Sequence, residues 1–128
     1  MAEPLPAGEP AIRTIAMPGD TNPAGDIFGG WLMAQMDLAA GNVAARRARG
    51  RCATIAVERI TFHSPVKIGD EVTVYAELVA VGRTSMKFQV SAWRRARDSD
   101  DSSKVTEAEF TFVALNSDGR PRPVPPET

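Results

Sequence analysis

One stretch of this chain has helical spacing and nearly all the rest has the spacing of strands. That imbalance limits the fold more than any other feature. Across residues 30–49, Leu32, Met36, Ala39 and Val43 recur at i, i+4, i+7 and i+11, and Met33, Ala40 and Ala44 widen the stripe. Arg46, Arg47 and Arg49 fill the last turn, where cations suit the helix dipole, and Gly50 stands as the C′ stop. After Gly50 the period drops to two, over residues 54–62, 71–81, 84–93 and 104–115. Val72, Val74, Ala76 and Leu78 share one face, as do Met86, Phe88, Val90 and Ala92, and then Ala108, Phe110 and Phe112. Val81-Gly82-Arg83 reads as a hairpin turn, so the strands on either side are expected to pair antiparallel. Residues 12–17 add a short first strand. One long helix with a largely antiparallel sheet predicts an α+β fold. The helix's apolar arc is too wide for a flat sheet, so the sheet is expected to curve around it. The sheet edges then need partners, which predicts a homo-oligomer.

A length of 128 residues suits one domain. Proline marks its limits. Pro4, Pro6 and Pro10 open the chain, Pro121, Pro123, Pro125 and Pro126 close it, and only Pro65 falls between residues 24 and 120. The expected division is a flexible tail over 1–10, a folded domain over 11–119 and a Pro-rich tail over 120–128. Fifteen basic and sixteen acidic residues give a net charge of −1, which leaves no whole-chain footprint for nucleic acid. No stretch reaches the ~20 apolar residues of a membrane helix. Residues 1–10 have three prolines and no basic residue, unlike a secretory signal. A cytoplasmic protein with no nucleic-acid or membrane partner is expected. Cys52 is the single cysteine and His63 the single histidine, so one subunit supplies neither a disulfide nor a Cys/His zinc site. No metal or cofactor is expected, and the chemistry is left to carboxylates, amides and backbone groups.

The densest segment, residues 20–31, runs straight into the helix. Gly29 and Gly30 at the helix start leave backbone N–H groups unblocked, able to hold a phosphate or polarise a carbonyl oxygen, or to serve only as a tight turn. Asp37 lies at the edge of the apolar arc. It is either a surface aspartate, paired with an arginine such as Arg47, or a base or nucleophile acting on a target near the Gly29-Gly30 amides. Asn22 can orient water or substrate through its amide. His63, at a strand end before Ser64-Pro65, reads as a satisfied turn residue, and Cys52 as a small filler. Trp31 and Trp93 read as packing or interface residues. Arg83, in the hairpin, either meets a phosphate or is a plain turn arginine.

Together these pieces resemble the hotdog-fold acyl-CoA thioesterases of the YciA-like branch. The matching segments are Met17-Pro18-Gly19-Asp20-Thr21-Asn22, Gly25-Asp26-Ile27-Phe28-Gly29-Gly30-Trp31, Met36-Asp37, Ile60-Thr61-Phe62 with Pro65-Val66 and Gly69-Asp70, Val81-Gly82-Arg83-Thr84-Ser85, and Thr111-Phe112-Val113-Ala114. The resemblance implies a single hotdog domain, its long helix wrapped by a five- or six-stranded antiparallel sheet. It also implies homodimers with sites at their interface, assembled as a trimer of dimers. By the same resemblance Asp37 is the catalytic carboxylate, Asn22 its polar partner, and Gly29 and Gly30 bring the helix N-terminus to the thioester. Gly82, Arg83, Thr84 and Ser85 line the coenzyme A site, and the tail around Arg120 and Arg122 meets phosphates. Thiolate is a good leaving group, so a histidine-poor site suits thioester hydrolysis without a cofactor. A hotdog dehydratase would pair a histidine with the helix carboxylate, and His63 does not match that position. A non-catalytic acyl-CoA or acyl-carrier binding module is the alternative; it would need the pocket but not Asp37.

Overall fold

The alternating segments after Gly50 form strands, as their spacing predicts, in a computed structural model that describes residues 3–127. The elements are β1 (Ile12–Ile15), a 3₁₀ turn (Pro18–Asp20), α1 (Gly29–Ala48), β2 (Cys52–Phe62), β3 (Glu71–Val81), β4 (Ser85–Arg95) and β5 (Ser102–Ala114). Among the described residues the strands make one five-stranded sheet in the order β1-β3-β4-β5-β2. Every pairing is antiparallel. The hairpin forms where the glycine predicts it, with Val81 opposite Met86.

The core lies between α1 and one face of the sheet. Leu32, Met36, Ala39, Ala40, Ala44 and Ala48 of the helix are buried against Val72 and Val74, Met86, Phe88 and Val90, and Ala108, Phe110 and Phe112. Four alanines on the buried face keep the helix close to the sheet, and aromatic rings fill the space. Phe88 meets Phe112 edge-on at 5.8 Å between centroids, and Phe110 stacks on Phe112 at 6.5 Å. Gly41 belongs to this fit, since a Cβ there would stand 3.5 Å from the Phe112 ring. Each large side chain buried here contributes about 1.5–3 kcal/mol.

The helix differs from its expected form in two respects. Its apolar stripe is narrower, because Met33 is 37% exposed and Val43 is only half-buried. Its end also comes one residue early. Arg49, not Gly50, takes the left-handed conformation (φ 59°) that closes the helix. Gly50 is needed for space instead, since a Cβ there would lie 2.8 Å from Arg122 Nη2.

Both Pro-rich ends run against the body. Ala11 N–H donates to Val74 O, and Lys104 Nζ donates to Glu3 at 2.7 Å. Pro4 and Pro6 share a cavity lining with Trp93, which is buried on the sheet face away from α1 and donates Nε1 to Ser91 Oγ. At the other end, Arg122 N–H donates to Ala114 O and Val124 N–H to Arg83 O. The Arg122 guanidinium donates to Ala48 O and Leu115 O, both at 2.8 Å, and so closes one carbonyl that the helix end leaves open.

β2 is an edge strand of eleven residues with Ile55 (58%), Val57 (38%) and Phe62 (48%) exposed along it. Its partner is β5, and among the described residues no strand covers the other side. A bulged, apolar edge of this length is a template for pairing with another chain.

Candidate active site

The loop before the helix is built by short-range hydrogen bonds that its sequence specifies. Asp20 Oδ2 accepts from Met17 N–H, and Asp20 O accepts from Phe28 N–H. Asn22 Oδ1 accepts from Ala24 and Asp26 N–H at 3.0 and 3.1 Å, an Asx turn, while Asn22 N–H donates to Asp26 O. Gly25 is required inside this turn because its φ is +90°. Ile27 N–H donates to Val66 O and Lys67 pairs with Asp26, which ties the loop to the β2–β3 connection. That connection is anchored by buried Asp70, which accepts from Lys67 N–H and from Arg94 Nε at 2.7 Å. The start of α1 is therefore held from both sides.

At that start, Phe28 supplies no side-chain cap, and the first backbone donors that close onto the helix are Trp31 and Leu32, both onto Phe28 O. The N–H groups of Gly29 and Gly30 lie ahead of that ladder and are available to an oxyanion. A Cβ at Gly30 would meet nothing within 4 Å, so this end is open. Gly29 packs under Phe62, which a Cβ would approach to 3.4 Å.

Asp37 is exposed and does not pair with Arg47. Its Oδ1 accepts from Thr54 Oγ1 at 2.6 Å. This bond joins the middle of α1 to the edge strand β2 and holds the carboxylate beside the free edge. Thr54 is the residue that sequence reasoning missed. It is one of several threonines at strand positions, and its pairing spans 17 residues of chain. With Asp37 as the catalytic carboxylate that the family resemblance implies, losing this hydroxyl as Thr54→Val is expected to lower turnover about tenfold by freeing the carboxylate's orientation, the scale of one hydrogen bond to a charged group. Thiol-release kinetics at saturating substrate check this, with unchanged melting temperature as control.

The structure does not bring the expected site residues together within one chain. Gly30 and Asp37 are seven residues apart on one helix, roughly 10 Å along its axis. A carbonyl must lie about 3 Å from both its attacker and its oxyanion donors, so these two groups of one chain do not serve one carbonyl. Asn22 keeps its side-chain oxygen in the loop, away from Asp37. The hairpin group is also separate. Gly82 N–H donates to Ser85 O at 2.8 Å, Thr84 O accepts from Ala114 N–H, and Arg83 is exposed with its carbonyl bound to Val124. Arg120 is exposed in a turn organised by Asn116 Oδ1, while Arg122 spends its guanidinium on the helix end.

His63 and Cys52 sit outside these groups. His63 Nε2 lies 2.7 Å from Glu107, on the solvent side of β5, and the same Glu107 lies near Lys104. The His63 hydrogen bond holds the Glu107 carboxyl below its usual range, against the effect of burial and with help from Lys104. Burial pushes the Cys52 thiol up, opposed by nearby Arg122, so it stays a protonated filler. Among the described residues no group of three or more His, Cys, Asp or Glu is placed to hold a metal ion.

Known proteins match this chain closely. The thioesterase superfamily pattern matches residues 24–99. An uncharacterized acyl-CoA thioester hydrolase of Zymomonas mobilis is 58% identical over 126 residues, covering 98% of this chain and 85% of that protein. The acyl-CoA thioester hydrolase YciA of Salmonella typhimurium is 47% identical, covering 94% of this chain and 92% of its own. The hexameric thioesterase y2039 of Yersinia pestis superposes with a TM-score of 0.90 at 44% identity, covering 96% of this chain and all of that one. With a long helix wrapped by a curved antiparallel sheet and a family match across the helix and the first three long strands, this chain belongs to the thioesterase superfamily and has the hotdog fold.

Proposed function

We propose that this protein hydrolyses acyl-CoA thioesters to a free carboxylic acid and coenzyme A. The observation that carries the reading is the carboxylate of Asp37, held by Thr54 against an unpaired apolar strand edge. The relatives named as acyl-CoA thioester hydrolases support it.

In the proposed reaction, Asp37 takes a proton from a water molecule as its oxygen bonds to the thioester carbonyl carbon. The developing oxyanion is held by the Gly30 N–H at a helix N-terminus, beside Gly29. The carbon–sulfur bond then breaks, and the departing thiolate takes up the proton. Thiolate leaves readily, so the absence of a matching histidine is no obstacle, and the reaction calls for no resident cofactor.

Because Asp37 and Gly30 of one chain are too far apart for one carbonyl, the site is shared. Two chains join antiparallel along β2, which places the helix start and Asn22 of one beside Asp37 of the other. Three such dimers make the assembly, as the hexameric state of the Yersinia pestis relative supports. The proposed domain is residues 11–119, with the segments on either side laid against it. Gly82, Arg83, Thr84, Ser85 and Arg120 line the approach of coenzyme A, and the enzyme works in the cytoplasm.

Thiol release across acyl-CoAs of short to long chain tests the activity, and no release by folded, oligomeric protein would replace it with the binding-module reading. Arg83→Ala is expected to raise KM about tenfold and leave kcat close to wild type, because a phosphate contact is the same in ground and transition states. An equal loss of kcat would contradict that role. Mixing an inactive Asn22→Ala protein with an inactive Asp37→Asn protein is expected to restore activity in hybrid dimers, up to about a quarter of wild type by statistical pairing. Its absence after verified subunit exchange would place each site within one chain.

A further inference from the structure

The last turn of α1 carries more positive charge than a helix end requires. Arg46 and Arg47 have no carboxylate within ion-pair distance among the described residues. They line an open cavity of about 310 Å³ together with Val43, Arg49, Leu78, Pro126 and Glu127. The Arg47 guanidinium is fixed there, its Nη1 donating to Pro125 O at 2.6 Å. Its Nε is buried and has no hydrogen-bond partner. A buried guanidinium N–H without an acceptor is costly, and the cavity beside it is where an anion would stand against the guanidinium forks.

The cavity's other wall is the segment that ends the chain. Arg122 clamps it to Ala48 O and Leu115 O, and Val124 N–H hangs it on Arg83 O. The cavity is thus continuous through main-chain hydrogen bonds with the hairpin at residues 82–85. Its size falls in the range of small-ligand sites, and it joins apolar side chains to fork-shaped donors. That combination suits a flat base and sugar carrying a phosphate ester.

We propose that this cavity binds the phosphate of a nucleotide through Arg46 and Arg47. Two sources share the chemistry: the 3′-phosphorylated nucleotide end of coenzyme A, which rests on the acyl-CoA reading above, and a free nucleotide, which does not. Glu127 opposes the anion from the rim, so its removal is expected to strengthen binding.

Calorimetric titration of the full chain with 3′-phospho-ADP, ADP, coenzyme A and 3′-dephospho-coenzyme A tests the site. Arg46→Gln is the cleaner variant, because Arg47 also holds the terminal segment. The Kd for 3′-phospho-ADP is expected to rise about tenfold or more in Arg46→Gln, and to fall in Glu127→Gln. If coenzyme A displaces 3′-phospho-ADP and loses affinity without its 3′-phosphate, the substrate is the source. If ADP binds to protein already saturated with coenzyme A, and does so through Arg46, a free nucleotide is the source. No binding of any probe, or equal affinity in wild type, Arg46→Gln and Arg47→Gln, overturns the proposal. Thiol release that persists beside such a result leaves the hydrolase reading standing. Arginine-dependent nucleotide binding by a protein without thiol release removes the hydrolase reading and keeps the site.

Discussion

Replacing Asp37 by asparagine is expected to lower turnover at least ~100-fold, the scale of losing a catalytic base. The substitution keeps the shape of the side chain and leaves an oxygen to accept from Thr54, so the link between α1 and β2 survives. Asp37 is exposed on the helix surface, so the change costs the fold little. What is lost is the charge that, in the proposed reaction, takes the water's proton. Thiol release from saturating acyl-CoA, measured side by side with wild type, reads the effect directly. Coenzyme A affinity is expected to stay within a few-fold, since the role proposed for Asp37 is on the attacking water and not on the nucleotide. Unchanged turnover would remove Asp37 from the mechanism. Turnover in neither protein, with ligand still bound, would turn the reading to a binding module.

A lysine at Ile55 is expected to have a comparable effect by a different route. Ile55 lies at the bulge between Thr54 and Ala56 on the open side of the sheet and is 58% exposed. A charge there costs the single chain almost nothing and is costly to bury against a second chain. Light scattering is expected to show smaller assemblies, with an unchanged circular dichroism spectrum. Thiol release is expected to fall about 100-fold along with the assembly, because each proposed site needs Asp37 from one chain and the helix start from another. A monomer with full activity would overturn both the shared site and the β2 interface.

Much of the fold was legible in the chain because periodicity is a local property. Leu32, Met36 and Ala39 recur on one helical face, and Met86, Phe88 and Val90 on one strand face, whatever else the chain contacts. The turn at Gly82 is equally local, since its hydrogen bond reaches only to Ser85. The helix end was misread for the opposite reason. Gly50 looks like a conformational stop, but its lack of a side chain serves a guanidinium 72 residues later in the chain, and Arg49 carries the left-handed turn.

The sequence by itself determined where the helix lies, how the strands alternate, where the chain turns, and that a lone carboxylate stands at the edge of the helix's apolar face. The tertiary structure alone decided the strand order that leaves β2 open and the Thr54 hydroxyl that holds Asp37. It also decided the Arg47 cavity beneath the terminal segment. The physical reason is range. Side-chain periodicity and turns are set by neighbours within four residues, whereas these features depend on the register in which distant segments meet, and that register is fixed only when the whole core packs at once.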